Sequence, residues 1–390
     1  MPLRLGIIGA GHLGKIHARI AAARPDFQLV GVADPRAGAA EQIVAEIDAL
    51  AAIDAQSGEF PVSGPFLARR AVADYRELIP HIDAAIVAAP TCLHFGIGRE
   101  LLRRGVHVLM EKPLASSSAE ADHLVALARK QGLVLQVGHI ERFSPAYQAL
   151  RGAIFAPRLI QASRYSGFTF RSLDIGVVLD LMVHDLDLAM NLARSPVQSV
   201  EAWGTAVMGG QEDLAHARLQ FDNGCVALLQ ASRVSDLPRR TMEVWSAETR
   251  GRIDFADRSG VIARTDGRLL KGELDLLSLT PAEQAQVKER VFTDYIHLEH
   301  LDPAPCNPLA DEQLDFLESI REGRDPQVTG EQGRDVVAVA ERILNKIRSH
   351  ERQPTPLVAE PHSGQPPAVV KPPHWSAPTL PKPGDYRRSA

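Results

Sequence analysis

The stretch LRLGIIGAGHLG, residues 3 to 14, restricts the fold more than any other part of the chain. Its apolar run reads as a buried strand, GKIHARIAAA (14–23) reads as a helix, and GAGHLG (9–14) lies at the join. The three glycines of such a turn have separate uses: Gly9 permits the tight turn, Gly11 lets the backbone approach a pyrophosphate, and Gly14 allows close helix–strand packing. The free N–H groups at the helix start then face the anion. FQLVGVAD (27–34) reads as a second strand ending on Asp34, 20 residues beyond Gly14. A carboxylate there accepts hydrogen bonds from the adenosine ribose hydroxyls. The expected cofactor set is therefore Gly9, Gly11, His12, Leu13, Gly14 and Asp34. Asp34 would repel a 2′-phosphate, so NAD is expected over NADP. Arg36 keeps NADP open, because arginine can accommodate that phosphate.

The same rhythm continues to about residue 140. DAAIVAAP (83–90), GVHVLMEKP (105–113) and LVLQVGH (133–139) are further continuous apolar strands with helical patterns between them. That alternation indicates a parallel sheet covered on both faces. The segment from 37 to 80 is longer than one strand–helix–strand step needs; it holds an Ala-rich helix and then QSGEFPVSGPF (56–66), which reads as a surface loop or insertion. After about 150 the period changes to two. RLIQASRY, SVEAWGTAV, DLAHARLQF, GCVALLQASR, RTMEVWSAE and GRIDFAD alternate apolar and polar residues, and FDNGC (221–225) supplies an Asn-Gly hairpin turn. Two amphipathic helices follow, at 307–323 and 329–350.

The expected fold is α/β. A Rossmann, doubly wound parallel sheet spans 1–139, and an α+β domain with a large, mainly antiparallel open sheet spans 140–350. Residues 351–390 are rich in proline and poor in large apolar residues, so they are expected to form a flexible tail.

Composition narrows the function classes. A net charge of −5 is the opposite of a nucleic-acid footprint. Three widely spaced cysteines, Cys92, Cys225 and Cys306, fit neither a disulfide framework nor a zinc site, and point to a reducing compartment. The first apolar run is too short for a signal peptide, and no run reaches the roughly 18 apolar residues of a membrane span. A cytoplasmic location is expected. No H-E-x-x-H or paired Cys/His spacing is present, so no catalytic metal is expected.

VVLDLMVHDLDLAMNL (177–192) is apolar nearly all round, yet Asp180, His184, Asp187 and Asn191 interrupt it at spacings of four, three and four. On an α-helix those residues share one face. Polar groups in an apolar helix must be paired or must face a cavity. Asp187 and Asn191 fit capping or pairing roles. Asp185, off the stripe, fits a pair with a neighbour. Alone, an i,i+4 Asp–His pair is more often a structural hydrogen bond than a catalytic one.

GAGHLG, APTCLH (89–94), MEKPLA (110–115) and DLMVHDLDL (180–188), in this order, resemble the Gfo/Idh/MocA family of oxidoreductases over about residues 1 to 350. The E-K-P tripeptide is the most specific element. The resemblance implies NAD(P)-dependent interconversion of hydroxyl and carbonyl groups, mostly on sugars and cyclitols. It implies that Lys112 is the active-site lysine and that Asp180 and His184 form the D-x-x-x-H pair. Thr91 and His94 would lie beside the nicotinamide ribose, and Glu111, with Lys112, near the nicotinamide. GHIERFSPA (138–146) matches a crossover strand bordering cofactor and substrate, which brings in Glu141 and Arg142. Arg142 could equally be a structural ion pair. Arg164 and Tyr165 of SRYSGF (163–168) could face a diphosphate or sugar, although strand-edge residues are usually just exposed.

In that setting His184 would take the hydroxyl proton, Asp180 would orient the imidazole, and Lys112 would stabilise the oxygen. The reverse, with Lys112 as base and His184 holding substrate, stays open. Asp180 and His184 thus belong to both the catalytic and the substrate set. Within the family the chain is most similar to members that oxidise the 3-hydroxyl of UDP-N-acetylglucosamine on the way to diamino sugars of lipid A or surface glycans. A downstream aminotransferase and a homodimer or homotetramer through the second sheet are implied with it. The alternatives are another sugar or cyclitol, or a non-catalytic NAD-sensing protein.

Overall fold

The computed structural model describes residues 1–57, 69–170, 175–208, 210–302 and 306–351. Residues 58–66 of the expected surface loop and the tail from 352 onward lie outside them.

The first half runs β1 (Leu3–Ile8), α1 (His12–Ala22), β2 (Phe27–Ala33), α2 (Ala39–Ser57), β3 (Arg70–Val72), β4 (Ala84–Val87), α3 (Thr91–Arg103), β5 (His107–Glu111), α4 (Ser118–Gln131) and β6 (Leu135–Gly138). The strands form one parallel sheet in the order β3-β2-β1-β4-β5-β6. This is the doubly wound dinucleotide-binding order, whose crevice opens at the carboxyl ends of β1 and β4, where the strand order reverses. Period-2 alternation explains the two covered faces. Leu5, Ile7, Ile86 and Leu109 turn to the core shared with α1 and α2, while Ile8, Val87, Val108 and Met110 turn to the core shared with α3 and α4. Three-residue β3 went unread in the sequence because so short an edge strand carries no period.

The second half runs α5 (Pro145–Ala153), β7 (Leu159–Tyr165), α6 (Val183–Ala193), β8 (Val197–Thr205), β9 (Leu214–Phe221), β10 (Val226–Ser232), β11 (Arg239–Trp245), β12 (Thr249–Asp254), β13 (Ser259–Thr265), α7 (Gly267–Leu270), α8 (Pro281–Arg290), β14 (Ile296–Leu301), α9 (Pro308–Glu322) and α10 (Gly330–Glu351). Its sheet has the order β14-β13-β12-β11-β7-β10-β9-β8, and β7–β10 is its one parallel pairing. The β9–β10 hairpin turns through Asn223 and Gly224, the latter at φ +83°. Alternate residues of β8 to β11 pack under α5, α6 and α10, while the opposite positions stay more open. No helix among the described residues is long and apolar enough to cross a membrane.

The last two helices do not stay with the second sheet. Phe316 and Leu317 of α9 enter the core beside α1, and Val328 and Val337 enter the core beside α3 and α4. Farther along α10, Val336, Val339, Ala340, Ile343 and Ile347 pack on the second sheet. One continuous helix therefore touches the cores of both sheets.

Gly14 shows how tightly the opening turn is built: a Cβ there would lie 1.8 Å from the backbone oxygen of Gly9. Backbone cannot move aside as a side-chain tip can. Gly14→Ala is expected to cost about 1–3 kcal/mol, read as a lower denaturant midpoint at unchanged slope, and to weaken dinucleotide binding. An unchanged midpoint would show that the turn relaxes freely.

Candidate active site

The cofactor end of the crevice begins with an uncapped helix. No side chain caps α1 at Gly11, and its first turn holds no acid. A Cβ on Gly11 would meet nothing within 4 Å, so its backbone faces open space, whereas one on Gly9 (φ +104°) would strike the Ala88 carbonyl. Open space before free N–H groups suits a pyrophosphate. Asp34 directly follows β2 and is almost fully buried. It accepts from Ala10 N (2.7 Å), Arg36 N (2.9 Å), Arg36 Nε (2.9 Å) and Arg36 Nη2 (2.9 Å). Those bonds, with Arg36 first among them, hold its carboxyl down at about 2 against the opposing effect of burial. A carboxylate has about four lone-pair sites, so ribose hydroxyls compete with the exposed Arg36 side chain for it. His12 and Leu13 open α1 beside this turn.

The loop after β4 departs from expectation. Thr91 is buried at the start of α3. His94 is 1% exposed, and its ring nitrogens face Pro113 O (2.8 Å) and Ala89 O (2.9 Å). It braces two loops and leaves no nitrogen for a cofactor. Glu111 is likewise turned inward: its Oε1 meets His17 Nε2 at 2.9 Å, and its Oε2 accepts from Lys112 N at 3.3 Å. Its carboxylate lies behind Lys112, not toward the open crevice.

Lys112 follows the last residue of β5. Its Nζ donates to Asp180 O at 2.6 Å and lies 3.5 Å from Asp180 Oδ1. Burial pushes the ammonium below its usual range, against the pull of the Asp180 and Glu111 carboxylates. Asp180 belongs to a π turn, Val178–Met182, in which Val183 N–H reaches back five residues to Val178 O. Glu212 secures the start of this turn, accepting from Val177 N through its carbonyl (2.9 Å) and from Val178 N through Oε1 (3.1 Å). A Cβ on Gly176 would sit 2.0 Å from that Oε1.

The π turn breaks the regular stripe. Asp180 pairs with Lys112 and makes no hydrogen bond to His184, so the expected orienting contact is absent among the described residues. His184 keeps an unpartnered, buried Nδ1. Burial, then the charges of Lys112, Arg164, His139 and Arg240, hold it well below 6.5. It is a neutral imidazole at neutral pH.

The rest of the stripe is structural. Asp187 receives Arg142 through Nε (2.6 Å) and Nη2 (2.8 Å), and Asn191 Oδ1 accepts from Tyr147 O–H (2.7 Å). Arg142 is 6% exposed with its fork engaged on Asp187, the structural ion pair that the sequence left open. Arg164 donates to Asp185 (2.9 Å from Nη2) and to Glu141 (3.0 Å from Nη1), so both of the predicted residues are held in one ion-pair network. Tyr165 O–H donates to Gln230 Oε1, and Arg239 lies over its ring at 5.6 Å.

Two nearby residues escaped the sequence reading. His139, 1% exposed, ends the crossover from β6 with both ring nitrogens unpartnered, and its charge would be felt at His184. Arg240 is the cross-strand neighbour of Arg164. Alternation along β11 places it on the side of buried Met242 and Val244. Its carbonyl accepts from Phe255 N (2.8 Å), but its exposed side chain makes no hydrogen bond or ion pair among the described residues. Only three-dimensional register reveals either position.

Comparison with known proteins agrees with this architecture. Residues 3–139 match the oxidoreductase family with the NAD-binding Rossmann fold, and residues 148–253 match the GFO/IDH/MocA C-terminal domain. UDP-N-acetylglucosamine 3-dehydrogenase of Acidithiobacillus ferrooxidans is 34% identical over 342 residues, covering 87% of this chain and 96% of that one. A solved structure of that enzyme superposes with a TM-score of 0.74 at 33% identity, over 90% of this chain and 99% of the other. Levoglucosan dehydrogenase in complex with NADH superposes at 0.70 with 18% identity over 90% and 98% of the two chains, a likeness of fold.

The Arg142–Asp187 pair separates a structural from a substrate role. Arg142→Ala leaves a buried carboxylate alone and is expected to cost about 3–5 kcal/mol of stability, measured by chemical denaturation. Arg142→Ala protein with wild-type stability and a raised substrate KM would return Arg142 to the substrate set.

Proposed function

This chain belongs to the GFO/IDH/MocA family of oxidoreductases and is an NAD-dependent enzyme, and on that premise we propose that it oxidises a ring hydroxyl of a nucleotide sugar to a ketone. The substrate we favour carries the 3-hydroxyl of UDP-N-acetylglucosamine, the compound named in its 34%-identical relative. The observation that carries the proposal is the meeting of Lys112, from the end of β5, with Asp180, from the turn that leads into His184.

NAD, when bound at the GAGHLG turn and Asp34, would supply the hydride acceptor. His184, neutral before the reaction, takes the hydroxyl proton as the carbinol hydrogen leaves as hydride. Lys112 donates a hydrogen bond to the substrate oxygen while Asp180 holds the ammonium in place. Arg240, the uncompensated cation beside Arg164, meets the diphosphate.

In this reading residues 1–139 bind the cofactor and 140–350 bind substrate. The open face of the second sheet carries self-association into a dimer or tetramer. The product ketone suits a downstream aminotransferase in the cytoplasm, on a route to diamino sugars of lipid A or surface glycan.

Absorbance of reduced cofactor, followed with UDP-N-acetylglucosamine, NAD and a coupled aminotransferase, tests the proposal. Turnover is expected. Turnover with unmodified sugars or inositols alone would remove the nucleotide-sugar reading. Lys112→Ala and His184→Ala are each expected to lower kcat by about a hundredfold to ten-thousandfold. Arg240→Ala is expected to raise the KM for the UDP-sugar about tenfold to a hundredfold at nearly constant kcat. Equal losses in kcat and kcat/KM would assign Arg240 to the transition state instead.

A further inference from the structure

Behind the site lies a cluster that the proposed chemistry does not use. Glu312, on α9, is 0% exposed, and neither of its carboxyl oxygens has a partner among the described residues. His17 on α1 and Glu111 on β5 lie close to it. One ligand atom each of His17, Glu111 and Glu312 lies within 4.8 Å of the others. Asp315, also on α9, adds a further negative charge. Gln136 of β6 donates through Nε2 to the Glu312 carbonyl (3.1 Å), and Gln313 Nε2 donates to His17 Nδ1 (2.9 Å) and His17 O (3.2 Å). The Oε1 atoms of both glutamines are buried without partners. The cluster is therefore rich in acceptors and lacks a donor for Glu312.

Two carboxylates so close, in a dry interior, cannot both stay charged unless a cation joins them. The cation could be a metal ion or a proton. Hydrogen-bond direction decides between them. With the Gln313 amide donating to Nδ1, the ring hydrogen of His17 sits on Nε2 and points at Glu111 Oε1, 2.9 Å away. The nitrogen that would hold a metal is thus already a donor.

We propose that Glu312 is a neutral carboxylic acid that shares its proton with Glu111, and that it acts as a positioning residue holding a single negative charge behind Lys112. Glu111 keeps its charge. Burial raises it, but His17 and the Lys112 ammonium together bring it below its ordinary range, while burial and the Glu111 charge carry Glu312 well above 4.5. The chain thereby supports the Lys112 ammonium from two sides, by Asp180 in the crevice and by Glu111 behind it. The functional part of this inference rests on the reading of Lys112 as an active-site group.

The sign of the pH effect follows from linkage. In the unfolded chain Glu312 ionises near 4.5. Between that value and its higher folded value the native state binds one extra proton, so stability falls as pH rises through this window, by a factor of ten in the unfolding equilibrium per pH unit. Glu312→Gln keeps the shape and a donor but removes the titration. The test compares urea unfolding of the full chain and of Glu312→Gln from pH 5 to pH 8. The expected result is a one-proton difference in slope, with the variant the more stable protein at pH 7. A carboxylic-acid stretch in the infrared spectrum at pH 7 is expected to vanish in the variant. Parallel pH curves, a less stable variant, or one equivalent of tightly bound metal in the purified wild-type protein would overturn the proposal.

The positioning role has its own readout. Glu312→Leu removes the shared proton, so the Glu111 charge bears undivided on Lys112 and the Lys112 limb of the pH–kcat/KM profile is expected to move up by about one unit. Glu312→Gln is expected to leave that limb in place. An unmoved limb in both variants would reduce Glu312 to a packing residue. The unfolding and infrared measurements need no substrate, so they stand or fall apart from the dehydrogenase reading.

Discussion

The buried pair between Arg142 and Asp187 holds the two sheets in working relation. Arg142 lies in the first turn after β6, the last strand of the parallel sheet, and Asp187 lies on α6, which packs on the second sheet. Both side chains are almost fully removed from water. Such a pair gains little net stability, because desolvation opposes the Coulomb attraction, but it tolerates only a narrow geometry. The bidentate contact fixes the rotation of α6 about its axis, and the Arg164–Asp185 contact fixes it again from β7. With α6 set in this way, the π turn before it can only present Asp180 toward the end of β5, where Lys112 stands.

The electrostatics of the crevice follow from which charges are already spent. Arg142 and Arg164 each face carboxylates from neighbouring elements, so they shape the walls without attracting anion. Lys112 and Arg240 remain, one half-compensated and one uncompensated. Burial is the main cause that keeps His184 and His139 neutral; the charges of Lys112, Arg164 and Arg240 add to it at His184, and those of Arg142 and Lys112 at His139. A cleft with cations at its rim and neutral imidazoles inside favours a substrate whose anion sits apart from its reacting carbon.

Much of the fold was legible in the sequence because its signals are local. Apolar runs alternating with helices, the GAGHLG turn and the period-2 stretches after 150 each need only neighbouring residues to be read. Three strands were missed: β3 is three residues long, β14 is exposed along most of its length, and β13 has a single fully buried position, Ile262. The candidate site was legible only as a list. Motif spacing brought Lys112, Asp180 and His184 together, but hydrogen-bond partners depend on register between distant elements. Hence His94, Glu111, Arg142 and Arg164 turned out to be committed to other protein groups, while His139 and Arg240 went unnoticed. The π turn is the sharpest case, because four-residue spacing implies an Asp180–His184 contact that one extra residue in the turn removes.

Helix α9 explains why the parallel sheet needs a segment from the far end of the chain. The E-K-P strand brings Glu111 into the interior between β6 and α1, a place where a carboxylate costs several kcal/mol unless it is met by donors. His17 provides one, and Gln313 holds the His17 ring. Gln313 and its neighbour Glu312 both come from α9, which is anchored by Phe316 and Leu317 in the same core. Without α9, His17 would lose its orienting amide, Glu111 would lose its donor geometry, and the charge next to Lys112 would no longer be held in a single state. A residue some two hundred positions from the lysine therefore bears on its protonation through packing alone, with no contact to substrate or cofactor required.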